Sequence, residues 1–157
     1  MKTMGYGLYY EDQPVGGTYK SMRRTIQDAD LCTFVNVAHF IEPLFTDMEF
    51  MRNESDIKGR LVPGSMVYVF AEGLLCHSTM QGTGYAFLGM ELNVEKPTFV
   101  GDTIHVECEI TEARLSASRP GRGIVRSRNR VVRQNGDVVL TYTPLRMIKC
   151  RSAEVRP

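Results

Sequence analysis

The sequence predicts an α+β fold in which one curved antiparallel sheet wraps around a single long helix. Three observations indicate this class. A turn at Pro63-Gly64 is followed by a segment of low polarity that ends near Cys76. After Gly82-Thr83-Gly84 the hydrophobic pattern changes to a period of two, which is typical of strands with one buried face. Because helix and strands are separated along the chain, they are expected to pack as separate layers.

The central helix is expected to run from Gly64 to about Thr79. A helix that is apolar on nearly all sides is buried, and this one is too short to span a bilayer. Glu72 breaks the apolar pattern. An unpaired carboxylate in such a segment is costly, so Glu72 is predicted to face a polar cavity or a partner group.

Two elements are predicted near the start of the chain, after an irregular lead-in over residues 1–17. Thr18 to Ile26 reads as a strand. Asp28 to Ala38 reads as a helix with one apolar face, and Asp28 and Asp30 lie in its first turn, where carboxylates suit the helix dipole.

The segment between the two long helices is predicted to be a loop and a short helix. Pro43 prevents the first helix from continuing, so His39 to Phe45 is expected to be a loop. Thr46 with Glu49 three positions later is a capping-box pattern. It predicts a short helix over Asp47 to Arg52.

The second half of the chain is predicted to be antiparallel strands. Asn135-Gly136 is a strong hairpin signal, and Pro144 indicates a bulge or an edge position. One strand alternates apolar residues with His105, Glu107 and Glu109, which are expected on the outer, wet face. The predicted strands run over Tyr85 to Val94, Thr103 to Thr111, Ile124 to Arg133 and Asp137 to Lys149.

Length and composition limit the possible functions. The 157 residues predict one domain, with its core at about 8–150. A net charge of +1 does not favour nucleic acid or a membrane surface as a partner. No CxxC pair is present, so a metal site is not expected. The cysteines are expected to be free buried thiols, which fits a cytoplasmic protein: Cys32, Cys76, Cys108 and Cys150.

Several motifs, in order and at matching spacing from about residue 8 to 150, resemble the MaoC-like acyl-CoA dehydratases, relatives of the (R)-specific enoyl-CoA hydratases. That resemblance implies the hotdog fold. It also implies an acyl-CoA thioester as substrate, no cofactor beyond the CoA of the substrate, and a homodimer or higher homo-oligomer paired edge to edge. The motifs are residues 10–16 (YEDQPVG), 59–66 (GRLVPGSM), 73–75 (GLL), 96–104 (KPTFVGDTI) and 135–136 (NG).

The resemblance also implies where the chemistry lies. Family members hydrate an enoyl-CoA, or dehydrate the product, with an Asp and, five positions later, a His in the loop after the first helix. Here these positions hold Phe40 and Phe45, which cannot transfer a proton. Gly64 matches the glycine whose backbone N–H polarises the thioester carbonyl at the helix N-terminus. Gly64 and the adjacent Ser65 are therefore substrate-binding candidates.

Three ionisable residues are candidates to replace the usual acid and base. Glu72 lies eight residues after Gly64, about 12 Å along a helix axis. His39 and Glu42 lie in the loop that holds the two phenylalanines. A base poised near neutral pH is needed next to a thioester, and a buried Glu or a His can meet that need. Each also has a structural interpretation: an ion pair with an arginine for Glu72, a helix C-terminal position favoured by the dipole for His39, and solvation for Glu42.

An arginine-rich segment supplies candidate phosphate-binding residues. Arg119 and Arg122 lie in a Gly/Pro loop, and their guanidinium groups suit the phosphates of CoA. Arg126, Arg128 and Arg130 share one strand face and fit cross-strand ion pairs with acids equally well.

Three functions follow from these candidates. The first is an acyl-CoA hydratase or dehydratase with a non-standard acid/base set. The second is an acyl-CoA thioesterase that uses Glu72. The third is a protein that binds acyl-CoA without turnover, as Phe40 and Phe45 suggest.

Overall fold

The computed structural model describes residues 1, 4–154 and 157. The helices are a short 3₁₀ turn at Tyr10–Asp12, α1 (Asp28–Ala38), α2 (Pro43–Thr46), α3 (Met48–Asn53) and α4 (Gly64–Leu75), which continues as a π-helical turn over Cys76–Met80. The strands are β1 (Thr18–Lys20), β2 (Arg24–Thr25), β3 (Leu61–Val62), β4 (Gly84–Gly89), β5 (Leu92–Val94), β6 (Thr98–Phe99), β7 (Thr103–Leu115), β8 (Arg122–Arg133), β9 (Val138–Tyr142) and β10 (Leu145–Lys149).

An antiparallel sheet of eight strands forms one layer of the molecule. Long strands β7 and β8 lie at its centre. β1 and β2 both pair with β7 and form one edge. On the other side β8 pairs with β9 and β10, which pair in turn with β5 and β4. Strands β4 and β5 therefore form the second edge. A separate two-stranded pair, β3 with β6, precedes the central helix.

Helix α4 packs on the concave side of this sheet, as the sequence predicts. Met66 and Ala71 are fully buried, and Val67 and Leu75 nearly so. They meet sheet residues such as Ile104 in one hydrophobic core. The outer side of α4 is not covered by the described residues, since Val69 is 48% exposed. The exposed apolar surface continues onto the β4–β5 edge.

The predictions before α4 hold with two corrections. Residues 39–45 were expected to form a loop, but Pro43–Thr46 form the short helix α2, because Pro fits the first turn of a helix. The first helix spans Asp28–Ala38 as expected. The short helix α3 is capped by Asp47, whose carboxylate accepts hydrogen bonds from the amides of Glu49 and Phe50. Thr46 was the expected cap, but it ends α2, and its hydroxyl donates to the carbonyl of Glu42 at 3.0 Å.

The strand predictions hold with local breaks. The expected strand over Thr18 to Ile26 divides into β1 and β2 around Ser21, whose hydroxyl accepts a hydrogen bond from Val106 N at 2.9 Å. Pro144 interrupts the last strand between β9 and β10. The turn at Asn135-Gly136 forms as predicted, with Gly136 in the left-handed region that such turns require.

Two burial predictions are wrong. His105 was expected on the solvent-exposed face of its strand but is only 7% exposed. It lies opposite Val132, which is also buried, so this part of the face is covered. Cys32 was expected to be buried but is exposed on α1, where its thiol lies 3.6 Å from Asp28. All four cysteines are free, as predicted, and Cys108 and Cys150 are buried.

Candidate active site

The N-terminus of α4 presents a backbone amide at the end of a cavity. Strand β3 leads into the Pro63-Gly64 turn, so Gly64 is the first residue of α4. The first amides of a helix have no acceptor inside the helix, and the helix dipole places positive potential there. A side chain on Gly64 would bring its Cβ to 2.8 Å from Val94 Cγ2. Glycine is therefore the residue that keeps this amide accessible.

A cavity of about 500 Å³ lies against Gly64. Its wall is mostly apolar, and its polar residues are Glu95, Lys96 and Thr98. We call it the Gly64 cavity. A concave apolar site with a few convergent polar groups is the usual form of a small-molecule site. The apolar wall is formed by Phe45, Ile57, Leu61, Val62, Pro63, Val67, Val94, Pro97, Val139 and Leu140.

The loop after α1 contributes one aromatic ring to this cavity, and that ring packs against a second one. The Phe40 and Phe45 rings lie 5.4 Å apart between centroids, and Phe34 packs 6.3 Å from Phe40. Phe45 lines the Gly64 cavity. The ring expected at the position of the family's His is thus part of the cavity wall, where it adds apolar surface and no proton-transfer group.

The two ionisable residues of this loop have local structural roles. His39 ends α1 in the left-handed conformation (φ 55°) and is exposed. Glu42 caps α2 and accepts a hydrogen bond from Leu44 N at 3.0 Å. Neither residue lines the Gly64 cavity.

Glu72 is held by an arginine that the sequence did not single out. Both carboxylate oxygens lie 2.6 Å from Nη2 of Arg146, which is on β10. The side chain of Glu72 is 17% exposed, and that of Arg146 is 10% exposed. Both residues line a groove of about 280 Å³ between α4 and β4, together with Cys76, Met80, Tyr85 and Phe87. We call this the Glu72 groove. The predicted polar partner of Glu72 is therefore Arg146.

Further polar groups lie beneath Glu72 in the core. Asn129 and the Tyr142 hydroxyl are buried, and no described residue meets hydrogen-bond geometry with either side chain. Tyr142 packs edge-on against Tyr68 of α4 at 5.3 Å. Burial raises the pKa of Tyr142 far above its usual range, and the charge of Glu72 adds to the effect. Burial likewise raises the pKa of the Cys76 thiol, again with a contribution from Glu72.

The arginines named in the sequence analysis form two groups, of which the first makes ion pairs across the sheet. Arg128 and Arg130 lie 3.6 and 3.4 Å from Glu109 and Glu107, and Arg126 lies 3.3 Å from Glu112. The structural interpretation of these residues is confirmed.

Arg119 and Arg122 instead gather around one aromatic ring. The guanidinium of Arg122 lies 4.6 Å from the ring centroid of Tyr85, and that of Arg119 lies 5.9 Å away. Arg119 Nη1 also donates to the Tyr85 hydroxyl at 3.4 Å.

The structure thus places the site candidates in four regions, one of which is formed by Arg119 and Arg122 at Tyr85. Gly64 lies at its cavity, with Ser65 exposed beside it, and Glu72 lies in a separate groove. His39 and Glu42 lie on the loop that carries Phe45. Sequence reasoning missed Lys96, which was noted only as part of a motif. Its ammonium is 2.6 Å from Asp137, and this contact, with Arg133, holds the pKa of Asp137 well below its usual range.

Two features are absent from the described residues. No cluster of three or more histidine, cysteine or acidic side chains is placed to hold a metal ion there. Within the same residues, no helix has the length and apolar character needed to cross a membrane.

Comparison with known proteins defines the class. No protein-family model matches the sequence. Over 113 residues it is 27% identical to an (R)-specific enoyl-CoA hydratase of Aeromonas caviae, covering 72% of this chain and 79% of that protein. A MaoC-like dehydratase from Rhodospirillum rubrum superposes with a TM-score of 0.79 at 30% identity, covering 93% of this chain and 99% of that one.

A second solved structure shows the same fold in a longer chain. A Mycobacterium tuberculosis protein described as a double hotdog fold superposes with a TM-score of 0.84 at 20% identity. It is matched over 96% of this chain and 46% of its own length. The fold is therefore the hotdog fold. Given its identity to the R. rubrum protein over nearly the full length of both, the chain belongs to the MaoC-like dehydratase family.

Proposed function

We propose that this protein is a hydro-lyase that adds water to the double bond of an enoyl-CoA thioester and catalyses the reverse dehydration. The observation that supports this most is the free amide of Gly64 at the end of an apolar cavity. In hydration, hydroxide adds to the β-carbon, and the thioester becomes an enolate that takes a proton at the α-carbon. The Gly64 N–H would stabilise the negative charge on the enolate oxygen.

The acid/base set remains part of this proposal: Glu72, acting with His39 or Glu42. Glu72 is an ionisable side chain of the central helix beside a groove, and Arg146 fixes its position. Its distance from Gly64, about 12 Å along the axis, is too long for direct proton transfer to the α- or β-carbon of a thioester whose carbonyl is bound at Gly64. Glu72 would therefore act through a chain of water molecules. His39 and Glu42 lie on the loop that carries the packed rings of Phe40 and Phe45. A movement of this loop would bring either residue closer to the thioester.

We propose the remaining properties from the resemblance. The protein is a homodimer or higher homo-oligomer paired through the β4–β5 edge, and it acts in the cytoplasm with no cofactor beyond the CoA of its substrate. The exposed apolar residues of that edge, including Phe87 and Leu88, support the pairing. Monomeric behaviour in sedimentation at micromolar concentration would contradict it.

One observation favours a second candidate function, binding of an acyl-CoA without turnover. The rings of Phe40 and Phe45 pack against each other at the positions of the family's acid and base. In this case the Gly64 cavity binds a thioester, and the product is not formed.

A turnover assay separates these functions. Crotonyl-CoA is supplied, and loss of enoyl-thioester absorbance is recorded in parallel with release of free thiol. Hydration without thiol release supports the hydro-lyase, and thiol release supports the thioesterase alternative. Binding with neither signal supports the non-catalytic candidate.

Variants then test the acid/base set. Glu72→Gln and His39→Ala are expected to lower turnover at least about tenfold. His77→Ala, an exposed histidine of the π-helical turn, is the matched control and should leave turnover unchanged. If Glu72→Gln and His39→Ala both retain full turnover, this acid/base set is wrong.

A further inference from the structure

Residues 40–58, which include α2 and α3, contribute part of the wall of the Gly64 cavity. Phe45 and Ile57 belong to this segment and line the cavity, whose other walls come from β3, the start of α4, residues 94–98 and β9. Most residues of the segment are exposed. We call residues 40–58 the cavity flap. A segment that buries little of its own surface opens at low cost in free energy.

A residue in the left-handed conformation lies at each end of the cavity flap. His39 has a φ of 55° where α1 ends, and Gly59 has a φ of 106° just before β3. This conformation is uncommon for a residue with a side chain such as His39. Residues at the ends of elements are the usual positions at which changes in backbone angles absorb the movement of a loop. His39 and Gly59 are therefore the two points about which the flap can turn.

Hydrogen bonds attach the cavity flap to the rest of the described chain at two places. At the first hinge, Phe40 N donates to the carbonyl of Val35 at 2.9 Å, and Ile41 N donates to that of His39 at 3.0 Å. In the middle of the flap, the carbonyl of Phe45 accepts a hydrogen bond from Nη1 of Arg60 at 2.7 Å. No ion pair among the described residues crosses from the flap to the body. The contact with Arg60 is thus the polar attachment of the flap away from its hinge.

Arg60 is itself fixed to the body of the protein. Its carbonyl accepts a hydrogen bond from Val100 N at 2.9 Å, and its Nε lies 2.7 Å from the carboxylate of Asp28 in the first turn of α1. Its Nη2 lies 3.6 Å from the thiol of Cys32. A guanidinium presents its donors in a rigid fork, so Asp28 orients the group whose other side donates to Phe45. Because the donor is charged, this hydrogen bond is stronger than one between neutral groups.

We propose that Arg60 is a positioning residue that holds the cavity flap closed over the Gly64 cavity, and that the flap opens about His39 and Gly59 to admit the thioester. The inference rests on the proposed function for the identity of this ligand. The closed position of the flap does not depend on a ligand. Segments that close over a site exclude water from it, and their opening can limit substrate entry and product release.

Amide hydrogen exchange of the ligand-free protein, read by mass spectrometry, tests the hold of Arg60 on the flap. Arg60→Met removes the polar contacts of the guanidinium and keeps the apolar stem. Peptides from the flap should then exchange at least about tenfold faster, because a charge-assisted hydrogen bond is lost, whereas peptides from β7 and β8 should exchange as in the wild type. Arg24→Met is the matched control, since it breaks a contact of the same length, 2.7 Å, with Asp30 of the same helix α1.

A conservative variant keeps the test decisive if Arg60→Met does not fold. Arg60→Lys retains the charge, but an ammonium cannot contact Asp28 and Phe45 together as the fork does. It should therefore show a smaller rise in exchange that is again confined to the flap. Unchanged flap exchange in both folded variants would overturn the proposal, and so would an equal rise in β7 and β8, which indicates a general loss of stability.

Binding kinetics test whether the flap controls entry to the cavity. The probe is butyryl-CoA, a saturated thioester that cannot be hydrated, and its rate constants are measured by surface plasmon resonance. A flap that opens more often admits and releases ligand faster, so the Arg60 variants should raise both rate constants at least about threefold, with a smaller change in Kd. Faster dissociation with unchanged association would mean that Arg60 shapes the cavity wall without controlling entry, and would overturn the proposal. Absence of butyryl-CoA binding in the wild type would contradict the proposed function, while hydrogen exchange would still decide whether Arg60 holds the flap.

Discussion

The Glu72–Arg146 ion pair gives the most quantitative prediction. Replacing Arg146 by Met keeps the apolar stem of the side chain but removes the guanidinium, which leaves the carboxylate of Glu72 without its partner. Both side chains are more than four-fifths buried, and both carboxylate oxygens contact the same nitrogen. Breaking a buried pair by removing one partner costs about 3–5 kcal/mol. Single domains have only about 5–15 kcal/mol of unfolding free energy, so the variant should be severely destabilised.

A double replacement separates the contribution of the ion pair to stability from that of side-chain packing. Removing both charges in Glu72→Met/Arg146→Met leaves no unpaired group, and such exchanges are often neutral or stabilising. We therefore expect the double variant to recover most of the stability lost in Arg146→Met, with a coupling free energy of roughly 2–4 kcal/mol.

The free energy of unfolding is measured by urea denaturation at one fixed protein concentration, because association adds to stability. A loss below about 1 kcal/mol in Arg146→Met would refute the reasoning, since surface ion pairs are worth that much or less. Glu72 would then not depend on Arg146, and its position in the groove would need another cause.

Three further predictions follow from the site. Phe40→Asp/Phe45→His restores the acid and base implied by the family resemblance, and the rate of crotonyl-CoA hydration should rise at least about tenfold. Unchanged or lower turnover in a folded variant would show that the loop does not face the thioester. Gly64→Ala should weaken thioester binding at least tenfold, because its methyl group would meet Val94 at 2.8 Å and force the chain beside the cavity to shift. Adding Val94→Ala should restore binding, and a Gly64→Ala variant that binds normally would contradict this. The pKa of Asp137 is lowered by Lys96 and then Arg133. The stabilising contribution of Asp137 is therefore present above about pH 4 and lost as the pH falls further. Asp137→Asn should reduce the loss of unfolding free energy at acid pH, and an unchanged acid loss would show that these contacts do not couple to folding.

The sequence could predict much of the fold because its signals are local. Period-two alternation and the Asn135-Gly136 turn specify the hairpin of β8 and β9, and Pro63-Gly64 marks the start of α4. The cap of α3 was misplaced by one residue, because Thr46 and Asp47 are both good caps and only the backbone decides between them.

The site was harder to predict because its contacts join distant parts of the chain. Glu72 could be recognised as an acid that needs a partner, but Arg146 lies 74 residues away and no local pattern joins the two. The same applies to Arg119 and Tyr85, which are 34 residues apart. His105 follows the alternation of an exposed face, yet packing on that face buries it. Alternation reports which side of a strand a residue is on and does not report what covers that side.

A crystal structure with bound butyryl-CoA tests the central claim most directly. The account predicts that the thioester carbonyl oxygen accepts a hydrogen bond from Gly64 N at about 3 Å, with the acyl chain against Phe45 and Leu140. A thioester bound outside the Gly64 cavity, or with its carbonyl directed away from the N-terminus of α4, would contradict it.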